Sequence, residues 1–233
     1  MINISGMIYL ITRGEKITYS LNSPEIKTLY TSDARLATLI FWYGDLSYSL
    51  CADEFTFLVE TIIGQMLSNK AANAIITRLY SLCNGILTPE KLLILGRSNL
   101  KAIGLSRQKV EYIFDFAEML SNQPDFFVGL DKATDNEVIE VLISLHGIGI
   151  WSTKMYLIFV LNRLNVLPYE DGAFIQSYKW LYETTDINHN SIKQRCAPWT
   201  PFASLASRYL YRALDEGLTK DLEFVAKHRD IER

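Results

Sequence analysis

The segment 145–151, which reads Leu-His-Gly-Ile-Gly-Ile-Trp, has the composition of a tight turn between two helices. Gly147 and Gly149 are separated by one residue and let the backbone turn sharply before a second helix begins. The first turn of that helix presents free backbone N–H groups and the positive end of its dipole. Such a site suits a phosphate oxygen and reads no base sequence. An ordinary helical hairpin has the same pattern, so the turn alone does not decide between the two.

A single carboxylate, Asp171, follows about 20 residues later at the predicted start of the next helix. The commonest reason for an aspartate at such a place is N-capping. A catalytic role is compatible with capping, because the helix dipole stabilises the charged carboxylate that electrostatic catalysis requires. The sequence leaves both roles open.

Helices must position these residues, because apolar side chains recur at helical spacing through most of the chain. In one stretch they stand at positions 55, 58, 59, 62, 63 and 66, which predicts a helix over residues 53–67. Ser68 and Thr88 are predicted N-caps, and Thr134 and Glu137 have the spacing of a capping box.

The N-terminus has a different pattern. Residues 7–12 and 16–21 are rich in β-branched and aromatic residues, and Arg13-Gly14-Glu15 lies between them. This predicts a β-hairpin with its turn at residues 13–15. The expected fold class is therefore mainly α with a short N-terminal β-hairpin.

Composition limits the function. The chain has 233 residues, 49% of them apolar, and a net charge of −3, which argues against a broadly basic nucleic-acid-binding surface. Its three cysteines contain no Cys-x-x-Cys pair, so a zinc site or a four-cysteine iron–sulfur cluster within this chain is excluded, and a reducing cytoplasm is expected. We expect no membrane association and no secretory signal.

Four segments, taken in order, resemble the helix-hairpin-helix DNA glycosylase superfamily and, within it, the 3-methyladenine DNA glycosylase II branch. Residues 62–68, Ile-Ile-Gly-Gln-Met-Leu-Ser, are similar to the family's Gly-Gln wedge segment, and residues 100–109 to its leucine-glycine-leucine turn. Residues 145–182 contain the hairpin and the aspartate, and residues 199–211 resemble the C-terminal tryptophan-x-proline helix. The similarity extends over roughly residues 32–218.

The resemblance implies a two-lobed helix-hairpin-helix glycosylase fold with the active-site cleft between the lobes. We expect residues 1–30 to form a short β-rich extension and residues 31–233 to form the glycosylase domain. Asp171 matches the catalytic aspartate, which stabilises positive charge on the sugar as the base departs and helps to position water. Its neighbour Glu170 is at best a supporting residue.

The implied DNA-binding residues belong to the hairpin and the wedge segment. They are His146, Gly147, Ile148, Gly149 and Met66. His146 stands where the family usually has proline. Met66 would fill the gap left by a flipped nucleotide, with Leu67 as the alternative wedge; a buried helix-face position is the other interpretation of Met66.

The implied base pocket contains Trp151, Tyr211 and Gln65. Trp151 and Tyr211 could stack on a flipped base; the alternative for both is a core aromatic. Bifunctional relatives have lysine at the position of Trp151, so lyase activity is not expected. Gly172 and the Phe202-Ala203 pair depart from the family's pattern, which leaves the substrate range open.

The resemblance thus implies a monofunctional DNA N-glycosylase that flips and excises alkylated purines of the 3-methyladenine type. The expected partner is damaged double-stranded DNA, bound by a cytoplasmic monomer, in the first step of base-excision repair. No cofactor is expected, although family hairpins can hold a monovalent cation. The alternative is a non-catalytic helix-hairpin-helix DNA-binding module in which Asp171 is only a helix cap.

Overall fold

A computed structural model of the chain describes residues 2–4, 7–9 and 13–228. The chain forms two compact units. Unit 1 comprises residues 1–14 and 51–161, and unit 2 comprises residues 15–50 and 162–233. Both are mostly helical, which confirms the predicted fold class. The sequence-based division into residues 1–30 and 31–233 is a different partition and stays a prediction.

In the part of the chain that the structure describes, four short strands form two separate two-stranded sheets. Strand β1 (Ile2–Ile4) pairs antiparallel with β2 (Met7–Tyr9). Strand β3 (Arg13–Tyr19) pairs with β4 (Leu46–Cys51). An N-terminal hairpin is therefore present, but the predicted pairing of residues 7–12 with 16–21 was wrong for residues 7–9, which pair with residues 2–4. Residues 10–12 of that prediction lie outside the described residues. Arg13-Gly14-Glu15 lies in a strand rather than in a turn, because β3 finds its partner far along the chain.

Helices make up the rest of both units. In chain order they are α1 (Pro24–Ser32), α2 (Ala34–Tyr43), α3 (Glu54–Gly64), α4 (Asn69–Leu82), α5 (Pro89–Ala102), α6 (Arg107–Asn122), α7 (Asp135–Ile143), α8 (Ile150–Phe159), α9 (Gly172–Tyr182), α10 (His189–Cys196), α11 (Ala203–Asp215) and α12 (Phe224–Lys227). Among the described residues, none of these helices is both long and apolar enough to cross a membrane.

The predicted helix starts are confirmed. The hydroxyls of Ser68 and Thr88 each accept a hydrogen bond at 3.3 Å from the backbone N–H three residues later. Thr134 does the same, and Glu137 Oε2 accepts in return from the Thr134 backbone N–H at 2.7 Å, which completes the capping box. Each cap satisfies a backbone donor that the helix leaves unpaired.

The core of unit 1 surrounds α3. This helix packs against α4, α6 and α8, and every residue from Phe55 to Ile63 is buried. Because α3 is buried on all sides, it is the central element of unit 1.

The core of unit 2 is held together by Asp33, which joins the early and late parts of the chain. Asp33 Oδ1 caps α2, and Oδ2 accepts a hydrogen bond from Trp199 Nε1 at 2.9 Å and another from the Tyr182 hydroxyl. Trp199 is fully buried and Trp180 nearly so, which confirms both as core aromatics.

Candidate functional site

The Gly-x-Gly segment does form a turn between two helices. We call residues 144–149, which join α7 to α8, the hairpin turn. Gly149 is the N-cap of α8, and its carbonyl accepts hydrogen bonds from the Thr153 backbone N–H at 3.0 Å and from the Thr153 hydroxyl at 3.1 Å. Glycine has no side chain to cap the helix, so the first N–H groups of α8 suit an anionic ligand.

Both the backbone conformation and the surroundings of position 147 require a glycine. Its φ is +84°, and a Cβ built there would lie 2.3 Å from Cδ2 of Tyr112, a ring on α6. Beside it, Ile148 buries its side chain in the core. Only the main chain of Ile148 is therefore available to DNA. A DNA contact through these backbone atoms stays a prediction.

His146 is an exposed side chain of the hairpin turn. Its Nδ1 lies 3.4 Å from Asp115 Oδ2, and its ring packs near Tyr112. The carboxylate of Asp115 competes with any phosphate for the imidazole. The predicted DNA contact through His146 thus remains a prediction.

The wedge segment leaves α3 earlier than its apolar spacing predicts. Helix α3 ends at Gly64, Gln65 has extended φ and ψ angles, and Met66 has a φ of +56°. The Met66 side chain is fully exposed, at 101% of its reference area, while Leu67 is only 39% exposed. The interpretation of Met66 as a buried helix-face residue was wrong. Exposure favours Met66 over Leu67 as the wedge, and that role is still untested.

Gln65 faces the hairpin turn. Its Nε2 donates a hydrogen bond to the Gly147 carbonyl at 2.7 Å and contacts the Ser152 hydroxyl at 3.3 Å. This places the side chain among polar groups of unit 1. The base-pocket role predicted for Gln65 stays a prediction.

Trp151 occupies the first turn of α8 and is half-buried, as is Lys154 three residues later. A partly exposed indole at the start of this helix is compatible with stacking on a base. Its pocket role nevertheless stays a prediction.

Asp171 is a helix cap, as the sequence indicates. Its Oδ2 accepts a hydrogen bond from the Phe174 backbone N–H at 2.8 Å, and the residue is 7% exposed. A tight turn precedes it, in which the Asp171 N–H donates to the Pro168 carbonyl at 2.9 Å. The cap is confirmed and the catalytic role stays a prediction.

Ser204 holds the segment that leads to Asp171, a role that no pattern in the sequence indicates. Its buried hydroxyl accepts from the Val166 N–H at 2.9 Å and donates to the Val166 carbonyl at 3.3 Å. The Ser204 N–H also donates to the Leu164 carbonyl at 2.9 Å. Helix α11 thereby holds the extended chain whose end presents the aspartate.

Tyr211 lies on the same helix and is 4% exposed, so its base-pocket role stays a prediction that requires a local opening. Three residues earlier, the buried Arg208 guanidinium lies 3.6 Å from the ring centroid of Tyr48. Burial lowers the pKa of Arg208 to about 10, and it remains charged at neutral pH. An arginine on a helix is usually solvated, so sequence reasoning missed this buried cation.

The structure therefore brings the predicted residues together in two groups. In unit 1, Gln65, which follows α3, is hydrogen-bonded to Gly147 of the hairpin turn and to Ser152, the neighbour of Trp151 on α8. In unit 2, Asp171 begins α9, which packs against α11 with Tyr211. Within the described part of the chain, no three His, Cys, Asp or Glu side chains form a group that could hold a metal ion.

Comparison with known proteins decides the family. Residues 59–201 match the model of the HhH-GPD superfamily base excision DNA repair protein, which covers the wedge segment, the hairpin turn and Asp171. The chain belongs to the HhH-GPD superfamily.

Relatives within the HhH-GPD superfamily confirm the resemblance to 3-methyladenine glycosylases. DNA-3-methyladenine glycosylase 1 of Schizosaccharomyces pombe is 30% identical over 87% of this chain and 91% of its own length. A crystal structure of DNA-3-methyladenine glycosidase from Bacillus halodurans is 32% identical, with a TM-score of 0.76, over 91% of this chain and all of that chain. S. pombe 3-methyladenine DNA glycosylase in complex with abasic DNA has a TM-score of 0.74 at 26% identity, over 83% of this chain and 97% of that chain.

Proposed function

We propose that this protein is a monofunctional DNA N-glycosylase, of the 3-methyladenine DNA glycosylase II type, that excises alkylated purines. The observation that carries the proposal is Asp171, a buried helix-capping carboxylate to which the resemblance assigns the role of catalytic aspartate. Support for the substrate class comes from relatives named for 3-methyladenine. The protein acts as a cytoplasmic monomer on damaged double-stranded DNA.

In the proposed mechanism the target nucleotide is flipped out of the duplex before its glycosidic bond breaks. An alkylated purine already carries positive charge and leaves without strong protonation. The sugar then develops oxocarbenium character, which the Asp171 carboxylate stabilises while water attacks. The hairpin turn holds a phosphate through backbone N–H groups, and Met66 fills the vacated space. Trp151 stacks on the base, and Tyr211 does so after a local opening exposes its ring.

The decisive experiment measures release of free bases from methylated duplex DNA. We expect the wild type to release alkylated purines and Asp171→Asn to lose this activity. Asparagine still accepts the hydrogen bond from Phe174, so the cap and the fold should survive. Asp53→Asn, which changes the capping aspartate of α3, is the matched control and should retain activity.

The capping geometry of Asp171 also favours a second candidate, a DNA-binding module without catalysis. Binding to abasic duplex without base release from alkylated, deaminated or oxidised DNA would support that module. For a monofunctional enzyme we expect borohydride to trap no covalent DNA adduct, because Trp151 cannot form a Schiff base.

A further inference from the structure

We propose that Lys109, Gln65 and Tyr112 are positioning residues. Together they hold Met66 and the hairpin turn in fixed positions relative to helix α6. The inference rests on the proposed function, in which these two elements grip DNA. It assigns to Lys109 a structural coupling role in place of a phosphate contact.

Gln65 provides the direct link between the two elements. It is adjacent to Met66, and its side-chain amide donates to the Gly147 carbonyl at 2.7 Å. A second contact, at 3.3 Å, reaches the Ser152 hydroxyl in the first turn of α8. The wedge segment is thus hydrogen-bonded to the middle of the turn and to the helix that follows it.

Lys109 provides the second link, from α6 to the end of α3. Its Nζ donates to the Ile63 carbonyl at 2.8 Å and to the Gln65 carbonyl at 2.5 Å. Carbonyls at a helix C-terminus lack helical partners and carry partial negative charge, so a cation there is favourable. Lys109 is partly buried, and this burial lowers the pKa of its ammonium.

Tyr112 connects helix α6 to the hairpin turn. It follows Lys109 by three residues on α6, and residues at this spacing share one face of a helix. Its ring covers the main chain of Gly147 so closely that a methyl group would not fit. One face of α6 therefore contacts the carbonyls on the N-terminal side of Met66 and the backbone of the hairpin turn.

The outcome is a fixed backbone that carries a free side chain. Met66 adopts a left-handed conformation, which costs a non-glycine residue free energy, and the bonds around it hold that conformation. Its side chain remains fully exposed. A phosphate bound at the hairpin turn would consequently place Met66 at a set distance along the duplex without any rearrangement of the protein.

The test compares binding to abasic duplex, which has a gap for Met66, with binding to undamaged duplex across a range of salt concentrations. We expect Lys109→Met to reduce the preference for abasic DNA by about 10- to 100-fold, since small displacements of a positioned group have effects of that size. The salt slope on undamaged DNA should be unchanged. Lys27→Met, at an exposed lysine on α1, should change neither quantity.

Three outcomes would overturn the proposal. A salt slope shallower by about 0.9 in Lys109→Met would make this lysine a phosphate contact. An unchanged preference for abasic DNA would deny it any positioning role. Lys109→Met could also reduce the preference for abasic DNA by the same factor in the wild-type and in the Met66→Ala background. That result would show that Lys109 does not act through Met66, because coupled residues give non-additive effects.

Gln65→Met keeps the test decisive if Lys109→Met fails to fold, since it removes only the amide hydrogen bonds at similar volume. Lys109→Arg, which keeps the cation, should recover part of the preference for abasic DNA. These measurements use no base release. An inactive wild type would therefore contradict the proposed function alone, whereas an active wild type with an uncoupled Lys109 would contradict this inference alone.

Discussion

At the scale of single residues, the role of a side chain depends on backbone groups that are far away in sequence. Lys109 is hydrophilic and lies on an amphipathic helix, so the sequence favours a solvated charge or a phosphate contact. The structure directs its ammonium to carbonyls 44 and 46 residues away. The buried Arg208 is a second case, since nothing in its local pattern distinguishes it from a surface arginine.

Gly147 carries the most specific prediction at this scale. We expect Gly147→Ala to lower the free energy of unfolding by about 1–3 kcal/mol, because alanine is strained at a φ of +84° and its methyl group meets the Tyr112 ring. Urea unfolding would measure the loss. Combining it with Tyr112→Ala should relieve the steric part.

Gly149→Ala is the matched control for this prediction. Gly149 has a φ of −114°, and no atom lies within 4 Å of a built Cβ. Because alanine is a poorer N-cap residue than glycine, we expect Gly149→Ala to lower the free energy of unfolding by no more than about 1 kcal/mol, without a steric contribution. Equal losses for the two variants would contradict the steric argument.

At the scale of elements, helix starts marked by capping residues were predictable, and the end of α3 was not. A helix start is determined by residues that are close in sequence, such as Thr134 and Glu137, whose side chains form the cap. Helix α3 ends three residues before its apolar spacing indicates, because the Lys109 ammonium and the Gly147 carbonyl stabilise a different backbone at Gln65 and Met66. Strand pairing failed for the same reason, since the partner of β3 lies in β4.

Ser204 gives the prediction for the elements of unit 2. We expect Ser204→Ala to lower the free energy of unfolding by about 1–3 kcal/mol, because the buried Val166 N–H would lose its partner. Base release should also slow, since Val166 leads to the turn that presents Asp171.

Ser207→Ala is the control on the same helix. The Ser207 hydroxyl is buried too, but it donates only to the Ala203 carbonyl one turn earlier, at 2.8 Å. That carbonyl keeps its helical partner, so the variant should lose less than about 1 kcal/mol. Similar losses in thermal or urea unfolding for both serines would contradict a special role of Ser204.

At the scale of the whole molecule, the net charge of −3 remains the main constraint on DNA binding. A small footprint that uses backbone N–H groups neutralises few phosphates. We expect log K against log salt concentration to have a slope no steeper than about −4, corresponding to about four phosphates. Fluorescence anisotropy with undamaged duplex would measure it, and a slope near −10 would contradict the small footprint.

The sequence predicts the residues of the candidate site but not the contacts that hold them. Motifs in the right order identified Asp171, the hairpin turn and the wedge segment, because each is defined by consecutive residues. The contacts that hold them, from Ser204 to Val166 and from Gln65 to Gly147, join residues 38 and 82 positions apart. Such contacts leave no local pattern, so only the three-dimensional structure reveals them.

The joining role of Asp33 has a consequence for synthesis on the ribosome. Residues 51–161 lie between Asp33 and its partners Tyr182 and Trp199, so the first part of unit 2 is made well before the second. Domains generally fold as they emerge, N-terminal portions first. Helices α1 and α2 therefore stay incompletely buried until translation has passed residue 199. The helices of unit 1, by contrast, are synthesised as one continuous segment. The aspartate proposed for catalysis thus belongs to the unit that is completed last.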